Sequence, residues 1–247
     1  MDYTNNSCCC GEAEHFSGCL ICGAPITYRA ESSIQTCSIC HKEQLTNAVC
    51  ENSHFICDAC HSYGTYAPVI AALRDSTEKD ALLLLEKIMD LPSVHMHGPE
   101  HHVMVGAALL TAYKNAGGAI NLRESVMEML NRGKAVPGGT CGFWGACGAG
   151  ISAGMFVSIL SGATPLTEES WGLSNQMTSK ALEAISRTGG PRCCKRDSYL
   201  AILAAVDFVK THFGIEMECT EVQCTHYAQN NQCIGKRCPF WRFDDSI

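Results

Sequence analysis

Four ligand pairs near the start of the chain constrain its fold more than any other feature: Cys19-x2-Cys22, Cys37-x2-Cys40, Cys50-x3-His54 and Cys57-x2-Cys60. A Cys-x2-Cys knuckle aims two thiolates at one ion and turns backbone N–H groups towards the sulfurs, and two such pairs complete a tetrahedral site. Eight ligands in four pairs predict two zinc ions. With no ninth well-spaced ligand nearby, both sites are expected to be closed and structural. The chain carries 18 cysteines in 247 residues, so disulfides have to be weighed against metal ligands. Spacing favours metal. The first fifteen residues, MDYTNNSCCCGEAEH, lack the basic and apolar regions of a secretory signal, so the thiols are expected to stay reduced in the cytoplasm.

Spacing alone leaves the pairing open. A zinc ribbon would join Cys19 and Cys22 to Cys37 and Cys40. The run from Cys37 to Cys60, however, resembles the first six ligands of a RING-type module. That resemblance implies a cross-brace, with one site of Cys37, Cys40, Cys57 and Cys60 and another of Cys19, Cys22, Cys50 and His54. The final Cys-x2-Cys of the RING pattern is missing, and Cys19 with Cys22 would replace it as a permuted pair. The departure argues against ubiquitin-ligase activity. His41 and His61 directly follow knuckle cysteines and read as exposed neighbours.

Beyond Tyr66 cysteine disappears until Cys141 and helical periodicity takes over. The expected organisation is a mainly α chain: a flexible tail over 1–18 that includes Cys8, Cys9 and Cys10, a double-zinc module over 19–62, a helical domain over 66–215, and a cysteine-rich metal-binding tail over 216–247. Helices are expected from Ala67 to Arg74, after a Thr77 cap, after Pro99, after an Asn121 cap, from about Ala149 to Ser161, after a Thr167 cap, and after an Asp197 cap. The window from Ala135 to Thr167 has no charged residue, but its glycines, hydroxyls and two prolines point to a buried helix, not a membrane span. A net charge of −7 with scattered Lys and Arg gives no reason to expect nucleic acid or anionic lipid as partners.

Three reactive-looking elements sit at expected helix starts. His95-Met96-His97-Gly98-Pro99-Glu100-His101-His102 packs four imidazoles into eight residues. A helix N-terminus depresses a histidine pKa, so neutral imidazoles here can ligate metal or act as base. Pro137 to Gly150, PGGTCGFWGACGAG, sets Cys141 and Cys147 among six glycines, which suit close backbone approach. Arg192-Cys193-Cys194-Lys195-Arg196 surrounds two thiols with cations, an arrangement expected to favour thiolate. A fourth set, Cys219-x4-Cys224-x8-Cys233-x4-Cys238-Pro239, can enclose one metal centre, and its terminal Cys-Pro is like that of bacterial ferredoxins, which points to a [4Fe-4S] cluster. No Walker motif or dinucleotide-binding glycine loop occurs.

In that order, HxHGPEHH, PGGTCGFWGACGAG, GGPRCCKRDSYLAI and CIGKRCPFW resemble an uncharacterised cysteine-rich family of anaerobic bacteria and methanogenic archaea. The resemblance implies an oxygen-sensitive setting and a helical C-terminal domain, and brings no reaction with it. Packing the three helix starts together would create one pocket of thiols and imidazoles. The expectation is an iron-sulfur-dependent sulfur-transfer or thiol-redox enzyme acting on a small thiol or sulfur-containing substrate. Cys193 or Cys194 would be the nucleophile, Glu100 or His101 the proton shuttle, and Cys141, Cys147, Cys219, Cys224, Cys233 and Cys238 the cluster ligands. The alternative is a zinc-binding adaptor or metal-delivery protein whose module docks a partner protein.

Overall fold

In the computed structural model, residues 18–241 are described; Cys8, Cys9, Cys10 and the rest of the N-terminal segment lie outside them, as do the last six residues. The chain opens on an antiparallel hairpin, β1 (Ile26–Thr36) and β2 (Glu43–Cys50), that the ligand spacing gave no hint of. Ile26 pairs with Cys50 at the base and Thr36 with Glu43 at the tip, with an irregularity between Tyr28 and Ser33. A short helix, α1 (Asp58–His61), closes the module.

The rest is helical: α2 (Tyr66–Arg74), α3 (Ala81–Met89), α4 (His101–Asn115), α5 (Leu122–Lys134), the single turn α6 (Thr140–Phe143), α7 (Gly148–Ser161), α8 (Glu169–Thr188) and α9 (Cys194–Phe213). Helix α4 is the axis. Its residues from His101 to Tyr113 are all buried, because HHVMVGAALLTAY is small or apolar on every face and can be surrounded without stranding charge. Helices α2, α3, α5, α7 and α9 pack around it, and α8 covers α7 and α9. Gly150 and Gly154 let α8 approach closely, since a Cβ there would run into Leu182 and Thr178. The long helix of the uncharged window, α7, accordingly packs into the core, while Trp144 and Leu166 on either side of it are exposed. Among the described residues no helix is long and apolar enough to cross a membrane.

Three helix starts differ from expectation for local reasons. Asp80, not Thr77, caps α3, its carboxylate accepting from the N–H groups of Leu82 and Leu83 at 2.8 and 3.1 Å. Helix α8 begins at Glu169, with Glu168 in place of Thr167 at the cap. Helix α9 begins a turn before Asp197, because the Cys193 sulfur accepts from Arg196 N–H at 3.5 Å. Asn121 caps α5 as the sequence implies.

After α9 the chain runs back across the helices in irregular form, with two single 3-10 turns at Tyr227–Gln229 and Gly235–Arg237. Thr220 N–H donates to Asp80 at 2.6 Å, and Phe240 packs on Tyr199 with ring centroids 5.1 Å apart. The tail is thereby fixed to both α3 and α9.

Candidate functional site

The hairpin decides how the N-terminal ligands pair. Cys19 and Cys22 precede β1 and Cys50 ends β2, so the strand register brings them together at the base, where His54 joins them. Cys37 and Cys40 form the tip, and α1 carries Cys57 and Cys60 back to it. In each group of four the ligand atoms lie within 4.8 Å of one another. Cys22 and Cys50 sulfurs are 3.9 Å apart, Cys40 and Cys57 3.8 Å, and His54 Nδ1 is 3.3 Å from Cys22. With metal–sulfur bonds of 2.3 Å a tetrahedron has edges of about 3.8 Å, so both groups are compatible with zinc. The backbone amides are turned as knuckles require: Cys57 N–H meets Cys37 sulfur at 3.4 Å, and His54 N–H meets Cys50 sulfur at 3.2 Å. The Ala24 N–H and then the Asn52 amide bring the Cys22 thiol down to about 6. The arrangement is the cross-braced one, and the ribbon pairing of Cys19/Cys22 with Cys37/Cys40 is absent.

The module lies against the helix starts, and between them is a cleft of about 500 Å3, within the range of small-molecule sites. His97, His101 and His102 reach it from the turn into α4, Cys141 and Cys147 from the glycine-rich loop, and Cys194 with Asp197 from the start of α9. The facing wall, which the sequence did not announce, includes Tyr28, Asp58 and His61. Asp58 accepts from Gly138 N–H at 2.7 Å, Tyr28 packs against Phe143 at 6.2 Å, and the Arg192 guanidinium lies 5.0 Å over the Tyr28 ring. The glycines serve close approach: a Cβ on Gly148 would sit 2.0 Å from the His102 ring.

Burial governs the ionisation of these groups. His101 and His102 are held below the usual imidazole range by desolvation, and His97 is brought down to about 4 for the same reason, so all three are neutral at pH 7. His102 Nδ1 bonds the Val136 carbonyl at 3.0 Å and His101 Nδ1 that of Gly98 at 3.1 Å, which leaves Nε2 of each as the acceptor. The thiols depart from expectation. Desolvation raises Cys147 to about 12 and raises Cys194 as well, outweighing Arg192. The surrounding cations do not supply thiolate because they are engaged elsewhere. Arg196 pairs with Asp197 at 2.9 Å and donates to the Gly189 and Pro191 carbonyls, and Lys195 is fully buried against the Met89 carbonyl, its pKa lowered by burial to about 8. Glu100 does not line the cleft with His101. Its carboxylate is fully buried behind, beside His61 and His95.

Adjacent residues Cys193 and Cys194 face different spaces. Cys193 enters a second, narrow cavity beneath the C-terminal segment together with Cys224, Cys233 and Cys238. Each of these sulfurs meets an N–H donor. Cys193 receives Arg196 N–H and the Asn230 amide at 3.5 Å, Cys233 receives Gly235 N–H at 3.4 Å, and desolvation raises the Cys224 and Cys238 thiols against the pull of the His226 and Phe240 N–H groups. Arg196, Tyr199 and His226 complete the walls. Cys219 lies elsewhere, exposed and near Asp80. Spacing grouped the four tail cysteines, while the fold substitutes Cys193 for Cys219; only the position of α9 could reveal that exchange.

These features define a cysteine-rich helical protein with groups positioned to hold metal. The chain belongs to a family of unknown function, DUF5714, whose model matches residues 69–241. The match takes in the chain from Val69 in α2 through α9 and the C-terminal cysteines and leaves the Cys19–Cys60 module outside. No curated protein and no solved structure matches the chain.

Proposed function

We propose that the protein is an iron-sulfur-dependent enzyme of thiol-redox or sulfur-transfer chemistry, acting on a small thiol or sulfur-containing substrate in the cleft. Zinc fills the two N-terminal groups and keeps the module docked as one wall. The cluster ligands are Cys193, Cys224, Cys233 and Cys238. The observation that carries this is the Cys193-Cys194 dipeptide at the start of α9: one thiol joins a four-cysteine cavity and the next lines a substrate-sized cleft, with no residue between them. Support also comes from the N–H donors at all four sulfurs of the cavity, since such hydrogen bonds tune cluster potential. In the cleft Cys194, Cys147 and Cys141 are the candidate reactive thiols, and the Nε2 atoms of His101 and His102 are the neutral bases that can accept a proton from them.

Anaerobic purification with iron, acid-labile sulfide and zinc analysis tests the proposal. About four iron and four sulfide per chain, with a broad visible absorption, are expected. Cys233→Ser and Cys238→Ser should each lose that absorption, and Cys219→Ser should keep it. Two zinc ions with no chromophore would overturn the proposal in favour of a zinc-binding adaptor or metal-delivery protein. That second reading draws on the raised Cys147 and Cys194 thiols, which are not activated nucleophiles as they stand.

A further inference from the structure

Behind the cleft, three side chains from three places in the chain meet without satisfying one another. His61 ends α1, His95 lies in the loop after α3, and Glu100 immediately precedes α4. Their donor atoms lie within 4.8 Å of one another. Glu100 Oε2 is 3.6 Å from His61 Nδ1 and Oε1 is 3.4 Å from His95 Nδ1. Those separations exceed a hydrogen bond. They match instead the edge of a coordination tetrahedron, about 3.4 Å for nitrogen and oxygen ligands bound at 2.0–2.1 Å.

Satisfaction points the same way. His61 Nδ1, His95 Nδ1 and Glu100 Oε2 are all buried and none has a hydrogen-bond partner, while Glu100 Oε1 accepts only from His95 N–H at 3.1 Å. The Glu100 side chain is 0% exposed. A carboxylate so placed, with one oxygen bare, is costly unless a cation balances it. The backbone is shaped to hold it there: a Cβ on Gly98 would lie 2.1 Å from Oε2, so only glycine leaves room.

The geometry points to a third metal site, in which His61 Nδ1, His95 Nδ1 and Glu100 bind one divalent transition-metal ion. It differs in kind from the two cysteine groups. Two imidazoles and a carboxylate are a sulfur-free set of borderline and hard donors suited to zinc, iron(II) or manganese(II), and three protein ligands leave positions open for water or substrate. The side chains of His61 and His95 are 20% and 23% exposed although both Nδ1 atoms are buried, so the rings reach the surface beside the site. His61 also lines the cleft, which puts the ion at its edge. His61 belongs to the module and lies outside the family match, whereas His95 and Glu100 lie inside it, so the ligand set closes only with the module docked.

The full-length protein carrying two zinc ions, dialysed against Co2+, tests the site, with metal analysis for the count and X-ray absorption at the cobalt edge for the ligands. One equivalent of cobalt in a nitrogen and oxygen environment is expected, beyond the zinc already bound. His61→Ala and His95→Ala should each lose that equivalent while zinc content and the thermal transition stay unchanged. Glu100→Gln should behave alike, and if it does not fold the two histidine variants decide the matter. Absence of the extra equivalent, sulfur in its coordination shell, or its persistence in both histidine variants would overturn the assignment. Iron and sulfide content enter none of these readouts, so the outcome is independent of the cluster.

Discussion

Residues 19–62 and the helices from α2 to α9 keep their shape by different means. In the module only Cys37, Phe55 and Cys57 form a buried apolar cluster, with Cys60 packed against them, and most of β1 is exposed. Three of those four residues belong to a group whose geometry could hold a metal. The helical part instead buries a continuous core that runs from Val69 through α3, α4, α7 and α9 to Phe240. A small unit without a core needs a metal to fold, and a large one with a core does not. The first is therefore expected to draw its stability from metal at its two ligand groups, whereas the second draws on apolar burial, and the cleft lies where the two meet.

Stripping the metal should break this comparison most visibly. Structural zinc contributes about 10–16 kcal/mol in zinc-finger peptides, so a strong chelator is expected to unfold the hairpin altogether. Limited proteolysis should then cut between Ile26 and Cys60, while far-UV circular dichroism keeps the helical signal. A module that stays protected after both zincs are gone would contradict the contrast. Core truncation should do the reverse. Leu109→Ala in α4, where the side chain is fully buried, is expected to cost about 2–5 kcal/mol in denaturant unfolding and to leave the zinc count at two.

Smaller changes probe the joints. Asp80 both caps α3 and accepts from Thr220, so Asp80→Ala should cost about 1–3 kcal/mol and loosen the tail, read as faster hydrogen exchange at the Thr220 amide. The least effect is expected from Asp58→Ala. It removes the module's 2.7 Å hydrogen bond to Gly138, worth about 1 kcal/mol, and should speed exchange at the Gly138 amide without altering either part's own stability. Global destabilisation by that change would mean that module and helices form one cooperative unit.

How far the sequence could be read followed the range of the interactions. Helix α5 with its Asn121 cap, the end of α7 at Ser161, and the helix that follows Pro99 were legible because caps and periodicity act over a few residues. The start of α9 was misplaced because a cysteine sulfur, a poor cap by residue type, holds Arg196 N–H, and Asp197 turns to Arg196 instead. His61 was legible only as a knuckle's neighbour, since its partners His95 and Glu100 lie more than thirty residues away.

The sequence by itself determined that seven cysteines and His54 come as four closely spaced pairs, that a helical segment follows, and that cysteines and histidines gather at three helix starts, because spacing and capping are properties of short stretches. Tertiary structure alone decided which pairs lie together, through the β1–β2 register, and sent Cys193 and Cys194 into different cavities from one helix start. It also exchanged Cys219 for Cys193 in the C-terminal cavity and brought His61 to Glu100. In each case the deciding contact joins residues distant in sequence, set by the hairpin register in the module and by the packing of helices around α4 elsewhere, which no local pattern records.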